Sequence, residues 1–234
     1  MKMKILKLLM ISKVKNDLVK KFGLNSKKIK VIYNPFDLDL IRKQSLVPIK
    51  ETEFVWNNKR KSIIYVGRID EHQKAVSVIL KSVALIANQK EYINLLIVGD
   101  GQERENMRDL SKRLGIGKQV FFLGWKENPY SFIRKSDALI LSSVYEGFGN
   151  VLVEAMACGT PVISTNCQSG PSEILEGGKY GTLVPVNDIK KFSEAILATL
   201  KNYADSELLR KRAEYFSAER TASQYLEVFE DILN

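Results

Sequence analysis

The sequence predicts an α/β fold in which helices cover both faces of a Rossmann-like parallel sheet. From residue 61 onwards, short apolar runs such as 62–66, 94–98 and 138–142 alternate with amphipathic stretches. Runs that are apolar at nearly every position are typical of parallel strands buried on both faces. The 234 residues are 45% hydrophobic, which is enough to bury the core of such a sheet.

Strands and helices are expected to alternate along the whole chain. The first three elements are a strand at 8–12, a helix at 14–22 and a strand at 29–33. Residues 37–60 lack a strong period, and Pro48 together with a polar run predicts a linker there. Later strands are expected at 62–66, 94–98, 120–123, 138–142, 162–164 and 181–184, and later helices at 75–88, 103–114, 130–135, 151–157, 172–175, 189–202, 206–216 and 218–233.

The distribution of charge along the chain limits the classes of molecule that the protein is expected to bind. The first fifty residues hold thirteen Lys or Arg and three Asp, a charge of +10, so the rest of the chain contributes −1 to the net charge of +9. The remainder has no basic face with interleaved aromatic residues, which argues against a nucleic-acid partner. The basic N-terminal part can make peripheral contact with anionic lipid headgroups, although a solvated lysine-rich surface is the favoured interpretation.

The sequence carries no pattern typical of membrane insertion or secretion. No run of eighteen apolar residues predicts a transmembrane helix, and the N-terminus lacks a signal-peptide cleavage site. Cys158 and Cys167 are the only cysteines, and their spacing is not that of metal ligands. We therefore expect a cytoplasmic protein without a metal, with peripheral attachment to the inner face of the membrane left open.

The most informative segment is YEGFGNVLVEAMACGTPVIST. In it, the turn Gly147-Phe148-Gly149 follows Glu146 and precedes a predicted helix start at Asn150. Glycines allow close approach of the backbone, and the amides of a helix N-terminus suit phosphate. Glu154 lies about one helical turn further on. The two carboxylates are therefore suited to accept hydroxyl groups from opposite ends of a phosphate-bridged ligand, such as a nucleotide-sugar.

Two further loops carry candidate ligand groups. Arg68 follows the strand 62–66 and Lys74 lies nearby in sequence, and two such cations can neutralise a diphosphate without a metal. Gly99-Asp100-Gly101 resembles half of a dinucleotide fingerprint, whose third glycine is absent. We expect this turn to allow close approach of the backbone to the ligand. Because ligands of open parallel sheets bind at the carboxyl ends of strands, the three loops are expected to share one site.

Six segments occur in the order found in family-4 retaining glycosyltransferases: YVGRIDEHQKA, IVGDGQERE, FLGWKENP, SSVYEGFGNVLVEAMACGTPVIST, SGPSEIL and GGKYGTLVP. The resemblance covers essentially the whole chain and is strongest to the branch that builds capsular, O-antigen or related surface polysaccharides. It implies the GT-B architecture, with two Rossmann-like domains and a donor bound mainly by the C-terminal one. On this basis, 61–217 is the donor-binding domain, 37–60 a linker, 218–234 a C-terminal helix and 1–36 a remnant of the acceptor domain.

The resemblance also implies roles for individual residues. Arg68 and Lys74 match the pair that holds the donor diphosphate, and Glu146 matches the glutamate that contacts the transferred sugar. These three are the implied catalytic residues. Glu154 matches the glutamate that accepts the ribose hydroxyls. The other implied donor-binding positions are Gly124 and Trp125 at the base and the turn residues Gly147, Phe148, Gly149 and Asn150, the last three through backbone amides.

The sequence departs from the family pattern in two respects. Ala75 stands where the family often has glycine after the lysine. Only the last strand–helix–strand of an acceptor domain is recognisable, as 1–36, so we expect the chain to be the donor half of an enzyme whose N-terminal domain is missing. The single histidine, His72, lies in the donor half and is expected to be an exposed loop residue.

The activity implied is transfer of a hexose-type sugar, with retention, from a nucleotide-diphospho-sugar to a glycan or lipid-linked acceptor, without a further cofactor. UDP is the favoured carrier, and GDP and ADP remain open. A nucleotide-sugar-binding module that is inactive without its acceptor domain is an alternative of similar weight, because catalysis needs both reactants in register. An NAD-dependent oxidoreductase is disfavoured by the incomplete glycine pattern, and a purely structural domain is a further alternative.

Two other patterns have simple interpretations. Asp37-Leu38-Asp39 spells the DxD of metal-dependent glycosyltransferases of the other large fold, but capping of a helix start is the favoured interpretation. Ser142 and Ser143 lack a plausible histidine partner for nucleophilic catalysis.

Overall fold

The computed structural model describes residues 7–9, 11–50, 56, 60–202 and 204–233, and it has the predicted parallel α/β architecture. Two parallel sheets are present in these ranges. The strands are β1 (Lys7–Leu9), β2 (Ile29–Val31), β3 (Ser62–Val66), β4 (Asn94–Val98), β5 (Val120–Gly124), β6 (Ala138–Leu141), β7 (Val162–Thr165) and β8 (Thr182–Val184).

The α-helices lie close to the predicted positions, with two exceptions described below. In chain order they are α1 (Ser12–Phe22), α2 (Leu38–Ser45), α3 (Glu71–Lys74), α4 (Val76–Asn88), α5 (Arg104–Arg113), α6 (Tyr130–Lys135), α7 (Asn150–Cys158), α8 (Pro171–Ile174), α9 (Ile189–Lys201), α10 (Ser206–Ala213) and α11 (Ala218–Leu233). Short 3₁₀ turns cover Ser26–Lys28, Glu176–Gly178 and Glu214–Phe216, the last in place of the predicted end of a longer helix.

The main sheet has the strand order β5-β4-β3-β6-β7-β8. The chain builds outward from β3 to β5 and then returns to the other side of β3 to add β6. The strand order therefore reverses between β3 and β6, so that the loops after these two neighbouring strands leave in different directions. In open parallel sheets, ligands bind in the crevice at such a reversal.

Helices cover both faces of this sheet. Helix α4 packs with α5 and α9, whereas α7 packs with α2, α6 and α10. The central strands are buried along their length, which explains their continuous apolar sequences. Of the helices in the described ranges, none has the length and apolar character that crossing a membrane would require.

The first exception is α2, which lies inside the stretch predicted as a linker. Leu38 and Ile41 are buried, and the helix packs against α6 and α7. The Asp37 carboxylate accepts a hydrogen bond of 2.8 Å from the Leu40 amide, so the predicted capping role is confirmed. The linker prediction therefore missed the helix at 38–45 beyond its start at Asp37, because two helical turns are too short to show a clear period. The domain boundaries themselves stay predictions.

The second exception is the short helix α3, which was not predicted. It is separated at Ala75 from α4, which agrees with the helix predicted at 75–88. Ala75 has a left-handed conformation, with φ of 47° and ψ of 50°. Such a conformation costs an alanine about 1–2 kcal/mol more than a glycine. This explains why glycine is favoured here in the family that the sequence resembles. The side chain of Ala75 is nonetheless buried, with 3% of its surface exposed.

The N-terminal segment is tied to the main sheet by one carboxylate and a group of rings. Glu173 in α8 accepts hydrogen bonds from the amides of Ser12 (3.0 Å) and Lys13 (3.1 Å) and from the Tyr33 hydroxyl (3.0 Å). Phe148 lies 5.6 Å, between ring centroids, from both Tyr33 and Phe216, and 6.4 Å from Phe36. We call Tyr33, Phe36, Phe148 and Phe216 the aromatic cluster.

Replacing Ala75 by glycine should test the strain at the α3–α4 break. The relief of left-handed strain offsets the lost buried methyl group and the greater freedom of the unfolded chain, so Ala75→Gly should change the free energy of unfolding by less than about 0.5 kcal/mol. Ala84, a buried alanine in α4, is the matched control, and Ala84→Gly should cost about 1.5–2 kcal/mol. Equal losses in urea titrations would contradict strain at position 75.

Removing the Glu173 carboxylate should release the N-terminal segment. Glu173→Ala leaves three donors unpaired and should lower the free energy of unfolding by about 1–3 kcal/mol. Hydrogen exchange of the Ser12 and Lys13 amides should also accelerate. Glu194→Ala, on the exposed face of α9, should stay within about 0.5 kcal/mol. Unchanged exchange at both amides would argue against the contact.

Candidate functional site

A cation and a carboxylate meet at the reversal of strand order. Lys74, at the end of α3 after β3, places its Nζ 2.5 Å from Oε1 of Glu146 in the loop after β6. The lysine side chain is 17% exposed and the glutamate side chain 6% exposed, so the pair lies largely out of water. Two residues that are 72 positions apart in sequence thus form one ion pair, as expected for loops sharing a site.

The turn after Glu146 presents backbone donors beside this pair. Gly149 has φ of 97° and is the N-cap of α7, without a capping side chain. Within the described ranges, the amides of Phe148, Gly149 and Asn150 have no hydrogen-bond acceptor. The buried ring of Phe148 anchors this turn in the aromatic cluster, whereas Gly147 and Asn150 are exposed. Open amides at a helix N-terminus are suited to bind an anion.

The N-terminus of α4 differs from that of α7 in this respect. The Glu71 carboxylate accepts a hydrogen bond of 3.0 Å from the Ser77 amide and a second from the Ser77 hydroxyl. A carboxylate already occupies the position where an anion would bind. Of these two helix starts on either side of the ion pair, only that of α7 is open.

Arg68 lies in the same loop as Lys74 but is mostly exposed. Its Nη2 is 3.0 Å from Oδ2 of Asp70 and 3.0 Å from Oε1 of Gln73. Gln73 in turn donates to the backbone carbonyl of Tyr145 at 3.4 Å, next to Glu146. The guanidinium is therefore connected to the glutamate loop through Gln73, with 63% of its side chain exposed and accessible to a ligand.

A cavity of about 350 Å³ adjoins Arg68 at the ends of β3 and β4. Trp125 lines it, and this residue is 72% exposed. The carbonyl of Gly124 accepts a hydrogen bond from the Gly99 amide at 2.8 Å. This bond joins Gly124, one of the two positions expected to contact the base, to the loop after β4. The structure thus brings Arg68 and Trp125 to one cavity and Lys74 and Glu146 to one ion pair.

The glycines of the loop after β4 are required for contact between two loops. A Cβ at Gly99 would lie 1.9 Å from the carbonyl oxygen of Gly67, and a Cβ at Gly101 would lie 2.1 Å from that of Ile69. The close approach that the structure contains is therefore to the backbone after β3. This packing is sufficient to account for both glycines, and the expected close approach of the turn to a ligand stays a prediction.

Glu154 lies on α7, partly buried, and makes no hydrogen bond or ion pair with the part of the chain that the structure describes. Burial raises its pKa from the ordinary 4.5 to about 7. Its charge contributes, after burial, to the raised pKa of Tyr130, which follows Pro129 of the cavity wall. The Glu154 carboxylate thus has no partner in the described residues, although a buried polar group needs one, and its role as an acceptor of hydroxyl groups stays a prediction.

Four neighbouring residues that sequence reasoning did not assign to the site hold it in place. Ser143 donates to Glu146 Oε1 at 2.5 Å, and Ser142 donates to the Lys74 carbonyl at 2.7 Å. The Ser169 hydroxyl donates to the Glu146 carbonyl at 3.0 Å. A Cβ at Gly170 would lie 2.0 Å from the Phe148 carbonyl oxygen. The only available signal was their position in the segments SSVYEGFG and SGPSEIL.

The arrangement can bind an anion flanked by hydroxyl groups. The described residues contain no group of three His, Cys, Asp or Glu side chains that could hold a metal ion. His72 is exposed and lies edge-on to Tyr145, with 6.0 Å between ring centroids. Cations, open amides and two carboxylates are thus the groups that this site offers to a ligand.

The buried carboxyl of Glu154 should make stability depend on pH. Because the folded chain holds this proton more tightly than the unfolded chain, the contribution is full below pH 4.5 and is lost as the pH rises to about 7. The loss should reach up to about 3 kcal/mol. In urea titrations between pH 4.5 and 8, Glu154→Gln should therefore gain stability relative to the unmodified chain as the pH rises. Parallel profiles of the two proteins would contradict the raised pKa.

Comparison with known proteins finds relatives over most of this chain. Residues 48–217 match the family described as glycosyl transferases group 1. A relative from Campylobacter jejuni, N-acetylgalactosamine-N,N'-diacetylbacillosaminyl-diphospho-undecaprenol 4-alpha-N-acetylgalactosaminyltransferase, is 32% identical over 195 residues, which is 83% of this chain and 49% of the relative. The chain spans about half the length of the curated relatives that it matches.

Two solved structures have the same fold. The apo form of the lipopolysaccharide outer core galactosyltransferase WaaB superposes with a TM-score of 0.80 at 25% identity, over 97% of this chain and 62% of WaaB. Anabaena HepE in complex with UDP gives a TM-score of 0.80 at 20% identity, over 97% of this chain and 64% of HepE. The predicted Rossmann-like half of a GT-B fold is confirmed. The family match over most of the chain shows that this protein belongs to the group 1 glycosyl transferases.

Proposed function

We propose that this chain binds the donor of a glycosyltransferase that moves a hexose-type sugar from a nucleotide-diphospho-sugar to a glycan or lipid-linked acceptor, with retention, in surface polysaccharide synthesis. The contact between Lys74 and Glu146 at the reversal of strand order, beside the open amides of α7, carries the proposal. This site combines positive charge for a diphosphate with an acceptor for sugar hydroxyls.

The diphosphate is assigned to Arg68, Lys74 and the amides at the start of α7. Negative charge builds up on the diphosphate as the bond to the sugar breaks, and these groups stabilise that charge without a metal. Arg68 is mostly exposed and paired with Asp70 and Gln73 on its own loop, so it can exchange these partners for phosphate oxygens. Lys74 is held in place by Glu146 before any donor arrives.

The two carboxylates are assigned to opposite ends of the donor. Glu146 lies beside the start of α7 and accepts hydroxyls of the transferred sugar. Glu154 accepts the ribose hydroxyls, since it has a raised pKa and no partner within the described ranges. Hydroxyls that donate to the ionised carboxylate favour its charged form, so donor binding should release a proton near neutral pH. The base lies along Gly124 and Trp125, in the cavity that adjoins Arg68.

Two comparisons support the choice of donor and acceptor. UDP is bound in the structure of HepE, which has the same fold, and UDP is therefore the favoured carrier here. The name of the Campylobacter jejuni relative describes a diphospho-undecaprenol acceptor, which supports a lipid-linked glycan as the acceptor class. Retention of configuration and the polysaccharide branch rest on the motif resemblance alone.

Removing either cation should separate diphosphate binding from nucleoside binding. In calorimetric titrations, Arg68→Ala and Lys74→Ala should each weaken UDP binding by a factor of about 10 to 100 and leave uridine binding nearly unchanged, because only UDP carries the charge they meet. Because Lys74→Ala leaves Glu146 without its cation, Lys74→Ala/Glu146→Gln should be measured beside it.

The exposed cations Lys81 and Arg113 provide matched controls, and Lys81→Ala and Arg113→Ala should leave both affinities unchanged. Equal losses for UDP and uridine would refute the diphosphate assignment. The same titration with GDP- and ADP-sugars identifies the carrier.

A further inference from the structure

Ser142 and Ser143 follow β6 directly, and both are fully buried. Their hydroxyls do not act on each other. Each donates to a different member of the Lys74–Glu146 ion pair, one to its backbone and one to its carboxylate. Two adjacent serines therefore connect the end of one strand to both residues of the ion pair.

Ser142 acts on the backbone at Lys74. Its Oγ lies 2.7 Å from the Lys74 carbonyl and 3.0 Å from the Ala75 carbonyl, at the left-handed break between α3 and α4. The amide of Val78, which would pair with the Lys74 carbonyl in a continuous helix, bonds to Ala75 at 2.9 Å instead. The break leaves the Lys74 carbonyl without its helical donor, and the Ser142 hydroxyl takes the place of that donor. The hydrogen bond also fixes the backbone from which the lysine side chain extends.

Ser143 acts on the carboxylate itself. Its Oγ donates to Oε1 of Glu146, the same oxygen that Lys74 contacts, and both distances are 2.5 Å. In the described ranges, no residue donates a hydrogen bond to the other carboxylate oxygen of Glu146, Oε2. Thr165 on β7 donates to the Ser143 carbonyl at 2.5 Å and so holds the serine backbone from the neighbouring strand. One oxygen of the carboxylate is held by two donors, and the other is left for a ligand.

We propose that Ser142 and Ser143 are positioning residues of the donor site. Ser142 sets the position of Lys74 for the diphosphate, and Ser143 turns the Glu146 carboxylate so that Oε2 receives a sugar hydroxyl. The inference rests on the proposed donor-binding function. It assigns distinct effects to two adjacent buried serines, which a general contribution to packing would not produce.

The test compares uridine, UDP and one UDP-sugar by calorimetry. The UDP-sugar is the tightest-binding of UDP-glucose, UDP-galactose, UDP-N-acetylglucosamine and UDP-N-acetylgalactosamine. Ser143→Ala should weaken binding of the UDP-sugar roughly tenfold and leave that of UDP within about twofold. Ser142→Ala should weaken UDP and UDP-sugar alike, roughly tenfold, and leave uridine unchanged. If Ser143→Ala lowers the affinities for UDP and for the UDP-sugar by the same factor, the role assigned to Ser143 is wrong. If Ser142→Ala weakens uridine binding, the role assigned to Ser142 is wrong.

Ser136→Ala is the matched control. Ser136 is a buried serine that precedes β6, at the end of the strand opposite Ser142 and Ser143, and its hydroxyl donates to the Phe132 carbonyl at 2.9 Å. Its loss should leave the ratio of the UDP and UDP-sugar affinities unchanged. In the Glu146→Gln background, Ser143→Ala should cause no further loss of UDP-sugar affinity, because its action passes through the carboxylate. A full tenfold loss in that background would overturn the proposal. Ser142→Cys and Ser143→Cys, which keep the volume and only a weak donor, replace any alanine variant that does not fold.

A second measurement separates this proposal from the proposed function. Thermal unfolding of Ser143→Ala, Glu146→Gln and the double variant needs no ligand. The loss of unfolding free energy in the double variant should be smaller than the sum of the losses in the two single variants. If no UDP-sugar binds the unmodified chain, the proposed donor fails. Additive losses in unfolding would then reject the hold of Ser143 on Glu146 independently, and coupled losses would support it.

Discussion

The reversal of strand order between β3 and β6 is the constraint on which the candidate site depends. It separates the connections that follow two neighbouring strands and opens a crevice at their carboxyl ends. Lys74 comes from one of these connections and Glu146 from the other. Because the ion pair is largely buried, removing either member leaves the other as an unpaired charge that water cannot fully solvate.

The backbone around the crevice is held by contacts that leave its donors free. Phe148 packs its ring into the aromatic cluster, while its own amide and those of the next two residues lack acceptors in the described ranges. The loops after β3 and β4 touch at distances that only glycine permits at positions 99 and 101. The site is thus rigid where the chain packs on itself and open where a ligand would bind.

The same contacts join the N-terminal segment to the site. Tyr33 packs against Phe148, and its hydroxyl donates a hydrogen bond to Glu173. The Glu173 carboxylate also accepts hydrogen bonds from the first two amides of α1. Phe148 therefore belongs both to the turn that presents open amides and to the aromatic cluster that anchors the N-terminal segment.

The strands and most helices could be predicted because their information is local. Buried parallel strands are apolar throughout, and the helices between them have amphipathic sequences. Only the start of α2 could be predicted, from the cap at Asp37, because its eight residues carry only two buried apolar side chains, Leu38 and Ile41. Helix α3 was missed because it has only four residues, and an alanine at position 75 gives no signal of the left-handed conformation that surrounding contacts impose. By itself, the sequence determined the parallel α/β class and the residue types of the site, whereas the tertiary structure decided that Lys74 pairs with Glu146 and that Ser142 and Ser143 hold this pair. The reason is that strand order, which is set by packing across the whole sheet, determines which distant loops become neighbours.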